Sequence, residues 1–281
     1  MLLPTLASAE PTKVLASVGR DESMWQPAWP TFSWLEGAAT VAAGTLTGVL
    51  WLQEPPRQAR WQGGVLFDDA VRDNLRLSSA SARSRVRSLG DLPYYASPVI
   101  PLLVDPLLIA WLGRDDGKAA LNLGLVGLEA FAYAGLSSFI STRLSLRQRP
   151  DSSQCWRENP DGIGCEPVDT EAFWSGHTTI AAASAGLVCA NHRYLPLWGH
   201  PVADASACVL STTGAVVTAV SRILADRHYT TDVIVGMGMG FGFGYAVPVL
   251  LHYSHGRREV RVALQPVALG MGSELNLAGS F

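Results

Sequence analysis

Six stretches of the chain stay apolar long enough to cross or nearly cross a bilayer, which takes about 20 residues. They run from about Trp34 to Leu52, Pro93 to Gly113, Lys118 to Thr142, Gly176 to Asn191, Val202 to Leu224 and Asp232 to Tyr253. Asp105-Pro106 interrupts the second, and the fourth has few uninterrupted apolar residues. The pattern predicts an all-α fold, a bundle of about six membrane helices. The buried bundle of a soluble protein is the competing reading. Glu36, Asp105 and Glu129 fall inside apolar stretches and are read as carboxylates paired within the bundle. Gly236, Gly240 and Gly244 recur every four residues, which puts them on one helix face and lets a neighbouring backbone come close. Gly238 and Gly242 form a second such row.

The flanking segments have a different character. Gln53 to Leu92 is polar and holds seven arginines. It reads as an interfacial loop with a solvated surface and one amphipathic helix near Phe67 to Leu77. From Glu259 to Phe281, apolar residues alternate around a Gly270–Ser273 turn, which predicts a short C-terminal β-hairpin. The domain division is therefore a tail or signal remnant at 1–30, a helical bundle at 31–256 and a hairpin tail at 257–281. Ala7-Ser8-Ala9 resembles a secretory cleavage site, but the apolar stretch before it is short and lacks a basic start. A truncated signal and an ordinary tail both stay open.

Composition narrows the class. Of 281 residues, 48% are hydrophobic and 16% charged, and mean hydropathy is +0.18. That is oilier than an ordinary soluble domain. The net charge of −3 and the dispersed arginines give no nucleic-acid footprint. No Cys/His/Asp set has metal-ligand spacing, so neither a metal nor another cofactor is expected. Cys155 and Cys165 lie ten residues apart in a polar loop and are expected to form a disulfide, which places that loop in an oxidising compartment. Cys189 and Cys208 lie in apolar segments and read as packing residues.

Three motifs carry the chemistry: Arg149-Pro150, Ser175-Gly176-His177, and Ser221-Arg222 followed by His228 and Asp232. In an alternating bundle all three fall at the same end, because they close the third helix, open the fourth, and link the fifth to the sixth. Together they supply a set that can break a phosphate ester without a metal. His228 is the candidate nucleophile, with Asp232 four residues on to orient its ring. His177 is the candidate acid and base. Arg149 and Arg222 can grip phosphate oxygens with forked hydrogen bonds. Ser175 and Gly176 open a helix, where free backbone N–H groups attract anions.

These motifs resemble those of the type-2 phosphatidic acid phosphatase superfamily, over about Trp34 to Tyr253. The third motif matches in full. In the second, Trp174 stands where the family usually has proline. In the first, Thr142 stands where the family has a lysine, and Arg143 or Arg147 is the candidate replacement. The resemblance implies a bundle of six membrane segments, a histidine nucleophile and no metal. The implied substrate is a lipid phosphate, phosphatidate-like or an isoprenoid pyrophosphate. The expected setting is a bacterial cell envelope, with an integral membrane protein whose site faces the periplasm. A soluble or peripheral periplasmic acid phosphatase, and a non-catalytic membrane protein with a degenerate site, are the alternatives.

Overall fold

The computed structural model describes residues 23–159 and 161–253. Eight α-helices follow one another: α1 (Trp34–Leu52), α2 (Asp68–Leu75), α3 (Ala80–Ala96), α4 (Gly117–Ser145), α5 (Pro150–Glu158), α6 (Gly176–Tyr194), α7 (Pro201–Leu224) and α8 (Thr230–Pro248). A π-helical stretch, Ile100–Gly113, prolongs α3, and a shorter one, Val249–Tyr253, prolongs α8. Side chains set the helix starts. Ser33 and Glu36 form a reciprocal capping box on α1. Asp116 accepts from the Ala119 amide to cap α4, Ser175 caps α6, and Pro150 and Pro201 stand in the first turns of α5 and α7.

Among the described residues, five spans are long and apolar enough to cross a membrane: Trp34–Leu52, Ala80–Gly113, Gly117–Ser145, Pro201–Leu224 and Thr230–Tyr253. This corrects the expectation of six, and α6 is the difference. It is built largely of Ala, Ser, Thr and Gly and is buried almost continuously from Thr178 to His192. A helix enclosed by its neighbours needs small residues for close approach rather than an oily outer face. Outward-facing Val41, Leu103, Leu112, Leu128, Leu210, Ile234 and Leu250 are exposed, an apolar surface of the kind a bilayer covers.

The glycine row on α8 works as its spacing implies. A Cβ at Gly240 would lie 2.1 Å from the Thr179 carbonyl oxygen, and one at Gly244 would lie 2.0 Å from that of Ala183. Gly238 and Gly242 meet nothing and face outward. At the end opposite the three motifs, Trp25, Trp29, Tyr194 and Tyr253 pack into an aromatic plug.

Two further expectations need correction. No strand occurs among the described residues, which show only an isolated bridge between Trp61 and Arg147, so the fold they form is helical and gives the expected hairpin no support. The segment expected to form one, 257–281, lies outside the described residues, as does the expected tail at 1–22. The arginines of Gln53 to Leu92 are not simply solvated. Arg72 and Arg76, on and just after α2, both pair with buried Asp226 in the turn between α7 and α8. Arg83 donates to the carbonyls of Leu77 and Ser78. The polar segment is thus fastened across the motif end of the bundle.

The cysteines form two disulfides, Cys155–Cys165 and Cys189–Cys208. The second corrects the reading of its members as free packing residues. Small residues let α6 and α7 approach until the two cysteine Cα atoms are 4.5 Å apart.

Candidate active site

The end of α4, the start of α6 and the α7–α8 turn meet around a cavity of about 630 Å³. Thr142, Arg143, Arg149, Glu171, Gly176, His177 and His228 line its polar side. Trp51 and Leu52 from α1, Phe131 and Phe139 from α4, and Ile180 from α6 line its apolar side. The motif residues therefore divide into those that reach this cavity and those that hold it together.

His228 reaches it. Its Nδ1 lies 2.8 Å from the Ala172 carbonyl oxygen. A carbonyl can only accept, so Nδ1 carries the proton and Nε2 keeps the lone pair. Burial, reinforced by the Arg149 charge, pushes the imidazole well below the ordinary 6.5, so the ring is neutral near pH 7. The expected partnership with Asp232 takes a different form. Asp232 Oδ2 stands 3.8 Å from His228 Nδ1, within ion-pair range but too far for a hydrogen bond. That oxygen instead accepts the Tyr229 amide at 2.8 Å, while Oδ1 binds Arg147.

Arg147, one of the two candidates for the lysine position, does not line the cavity. It is fully buried between the rings of Trp61 and Tyr229, 4.0 and 4.1 Å from their centroids. Its terminal nitrogens donate to Asp232, Thr231, the Gly63 carbonyl and Asp68. Burial pushes the Asp68 carboxyl up, but hydrogen bonds from Arg147 and Thr231 outweigh it and hold the group below its usual value. Arg143 is the arginine that lines the cavity. Its Nη2 is anchored to the carbonyls of Leu50 and Gln53, each at 2.6 Å. Its Nε and Nη1 have no hydrogen-bond partner among the described residues, and Glu171 lies 3.7 Å from Nη1.

Arg149 precedes α5 and donates Nε to Asp169 Oδ1 at 2.9 Å. Burial lowers its pKa, and Asp169 offsets part of that loss. Asp169 is itself held below the usual carboxylate range: burial raises it, but Arg149 and Arg227 outweigh that. Arg227 closes the circle through Asp151 at 2.8 Å and Asp169 at 3.1 Å.

Arg222 does not line the cavity. Its Nη1 is 2.9 Å from Asp91 Oδ1, and it also donates to the Arg87 carbonyl and to Ser221. The same Asp91 oxygen lies 3.6 Å from His177 Nε2, and the Tyr94 ring packs on His177 at 4.4 Å. Ser175 is fully buried, and its hydroxyl accepts from Thr178 to cap α6. This leaves the first-turn amides after Ser175 as the donors available to an anion. The Phe173–Trp174 peptide just before the cap is cis.

Sequence reasoning missed Asp91, Asp169, Arg227 and the Ala172 carbonyl. Asp91 lay in a segment read as interfacial loop, and a backbone carbonyl leaves no mark in residue identity. The close packing of Gly90 on Ser221, where a Cβ would lie 1.8 Å from the serine Oγ, is the one local sign that α3 enters the site.

With this geometry in place, the comparisons with known proteins show what the chain is similar to. Residues 123–255 match the PAP2 superfamily. The PAP2 span contains all three motifs and begins within α4, so α1 to α3 fall outside it. A search of curated proteins finds no match. Among solved structures, the chain is similar to the first transmembrane PAP2 type phosphatidylglycerolphosphate phosphatase from Bacillus subtilis, at 18% identity and a TM-score of 0.47, over 78% of this chain and 96% of that one.

Proposed function

We propose that this PAP2 protein is a membrane phosphatase that hydrolyses a lipid phosphate, monoester or pyrophosphate, through a phosphohistidine. The observation that carries the reading is the shared cavity. Its polar lining presents two histidines and two arginines, and its apolar lining comes partly from the membrane-span candidate α1. A phosphate headgroup fits the first side and an acyl or isoprenoid chain the second.

In this reading His228 Nε2 attacks phosphorus in line as the bond to the leaving oxygen breaks, giving N-phosphohistidine. Burial, reinforced by the Arg222 charge, pushes the His177 imidazole down to about 3, so the ring takes up the proton of a phosphate monoanion and delivers it to the departing oxygen. Water then attacks the phosphohistidine with His177 as base, releasing inorganic phosphate and restoring His228. Arg149, Arg143 and the α6 first-turn amides carry the charge on the equatorial oxygens. Gly176 and Ser175 shape that helix start. Asp232 acts on His228 indirectly, by fixing the Tyr229 backbone and Arg147. Asp91 links Arg222 to His177, within 2.9 Å of the first and 3.6 Å of the second. The positive charge at the phosphate comes from arginine, so the reaction needs no metal ion. The Cys155–Cys165 disulfide lies in the loop that leads from Arg149 toward Ser175, which supports reading the site as facing an oxidising compartment, the periplasm of a bacterial envelope.

The test is phosphate release from a panel of phosphatidate, phosphatidylglycerol phosphate and isoprenoid pyrophosphate in detergent micelles. His228→Ala should lower kcat by about 10⁴-fold or more. Equal release by both proteins would defeat the reading. Release from water-soluble phosphoesters alone would move the substrate class away from lipids.

A further inference from the structure

Away from the motif end, three side chains from three non-adjacent segments converge: Glu36 on α1, Glu129 on α4 and His252 in the stretch that prolongs α8. We propose that they form a metal site that clasps α1 to the bundle, holding a divalent first-row transition ion of the zinc type. This inference does not depend on the phosphatase reading.

The argument begins with lone pairs. His252 Nδ1 lies 3.2 Å from the Pro30 carbonyl oxygen, which can only accept, so that nitrogen carries the ring proton. The lone pair on Nε2 then faces Glu36 Oε1 and Glu129 Oε2, each 3.8 Å away. All three atoms lie within 4.8 Å of one another. Glu129 and His252 are completely buried, and Glu129 Oε2 and His252 Nε2 have no hydrogen-bond partner among the described residues. Two carboxylate oxygens and an imidazole nitrogen, all electron-rich, repel one another in such a space unless a proton or a metal ion lies among them.

Two cations can be weighed against the geometry. A proton on Nε2 would have to bridge 3.8 Å, longer than an N–H···O hydrogen bond of about 2.7–3.2 Å. It would also leave one net negative charge in the bundle. A divalent ion balances both carboxylates. Ligand atoms about 2.1 Å from such an ion stand roughly 3.4 Å apart in a tetrahedron and farther apart at wider angles, which matches the two 3.8 Å nitrogen–oxygen spacings. One nitrogen and two oxygens suit zinc, manganese or iron rather than calcium or magnesium.

The surroundings are those of a held site. Tyr133 donates to the other Glu129 oxygen at 2.9 Å, and the Ser33 amide donates to the other Glu36 oxygen at 2.5 Å. With the Pro30 contact, each ligand has an outer partner that fixes its orientation, as metal ligands usually do. Trp25 and Phe32 cover the His252 ring, with centroids 5.9 and 6.4 Å away. Only Glu36 keeps some exposure, 23% of its side chain, which gives an ion a route in. The consequence concerns α1, whose only buried residue is Ala43. A metal bond at Glu36 secures a helix that packing holds weakly, and the far end of that helix supplies Trp51 and Leu52 to the cavity wall.

The test uses full-length protein in detergent. Elemental analysis should find about one equivalent of a first-row metal per chain. After chelator treatment, added Zn²⁺ should raise Tm, and added Co²⁺ should bind with visible d–d absorption. His252→Gln should abolish the absorption. Glu36→Gln, at the most exposed ligand and therefore the mildest change, should weaken Zn²⁺ binding by more than about tenfold, the upper part of which even outer partners can cost. A metal-free protein whose Tm responds to neither Zn²⁺, Mn²⁺ nor Co²⁺ would overturn the proposal. So would uptake unchanged in both variants.

Discussion

Arg147 and Arg149 stand two residues apart and finish in opposite kinds of surroundings. Around Arg147 the terminal nitrogens are matched by Asp68, Asp232, Thr231 and a backbone carbonyl, and two aromatic rings cover its faces. Among the described residues Arg149 has a single side-chain partner, Asp169, through Nε, and it lines the cavity beside His228. The first region is closed and the second still has donors to give. A buried arginine with every terminal N–H matched holds structure together. One with unmatched N–H groups beside a cavity is available to a ligand. By the same standard, Arg143 belongs with Arg149, and the unmatched atoms of Glu129 and His252 mark another place where a charge is wanting.

The comparison is tested most severely by exchanging the two outcomes. Arg147→Ala leaves Asp68 and Asp232 without their buried partner, and breaking such a pair costs on the order of 3–5 kcal/mol. A large drop in thermal stability of the detergent-solubilised protein is expected. Arg149→Met should leave Tm nearly unchanged and lower kcat/KM on the order of a hundredfold, the scale for losing one charge-stabilising donor. If Arg149→Met unfolds the protein while Arg147→Ala leaves both Tm and activity intact, the two assignments are reversed.

Arg149 also leaves a smaller mark on pH dependence. Burial is the main force holding His228 below 6.5, and the Arg149 charge adds to it. A depressed histidine pKa means that the neutral nucleophile survives as pH falls, so the loss of kcat/KM from His228 protonation should lie below 6.5. Removing a nearby positive charge makes the imidazolium less unfavourable and raises its pKa. The acid limb of Arg149→Met should therefore move toward neutral pH relative to wild type on the same substrate. A limb that stays in place, or moves to lower pH, would separate Arg149 from the nucleophile.

Much of this arrangement was legible in the chain. The apolar stretches placed α1, α4, α7 and α8 to within a few residues, because a lipid-facing helix must be oily along its length. The glycine row at 236, 240 and 244 identified a tight contact, because no other residue allows that backbone approach. The placement of Arg149, Gly176, His177 and His228 at one end followed from helix alternation alone. What stayed hidden depended on contacts between distant segments. Nothing near Arg147 in sequence shows that Asp68 and Trp61 enclose it, and nothing near Glu36 shows that Glu129 and His252 meet it. The Cys189–Cys208 bridge was concealed by its apolar context, and the role of Ala172 by being a carbonyl.

The mildest test lies where the closed and open regions meet. Arg222 was read as a phosphate ligand, yet Asp91 stands against its guanidinium and 3.6 Å from His177. A phosphate dianion approaching Arg222 would meet a carboxylate of its own sign, so the arginine can help bind substrate only when Asp91 yields. Asp91 is partly exposed, with 28% of its side chain accessible, and pairs of that kind are worth up to about 1 kcal/mol, which caps the effect near fivefold. Asp91→Asn should therefore lower KM by up to about fivefold with kcat little changed, because it removes the repulsion while keeping the shape. A fall in kcat with KM unchanged would instead make Asp91 the group that positions His177 for proton transfer, and would place Arg222 with Arg147 among the closed, structural arginines.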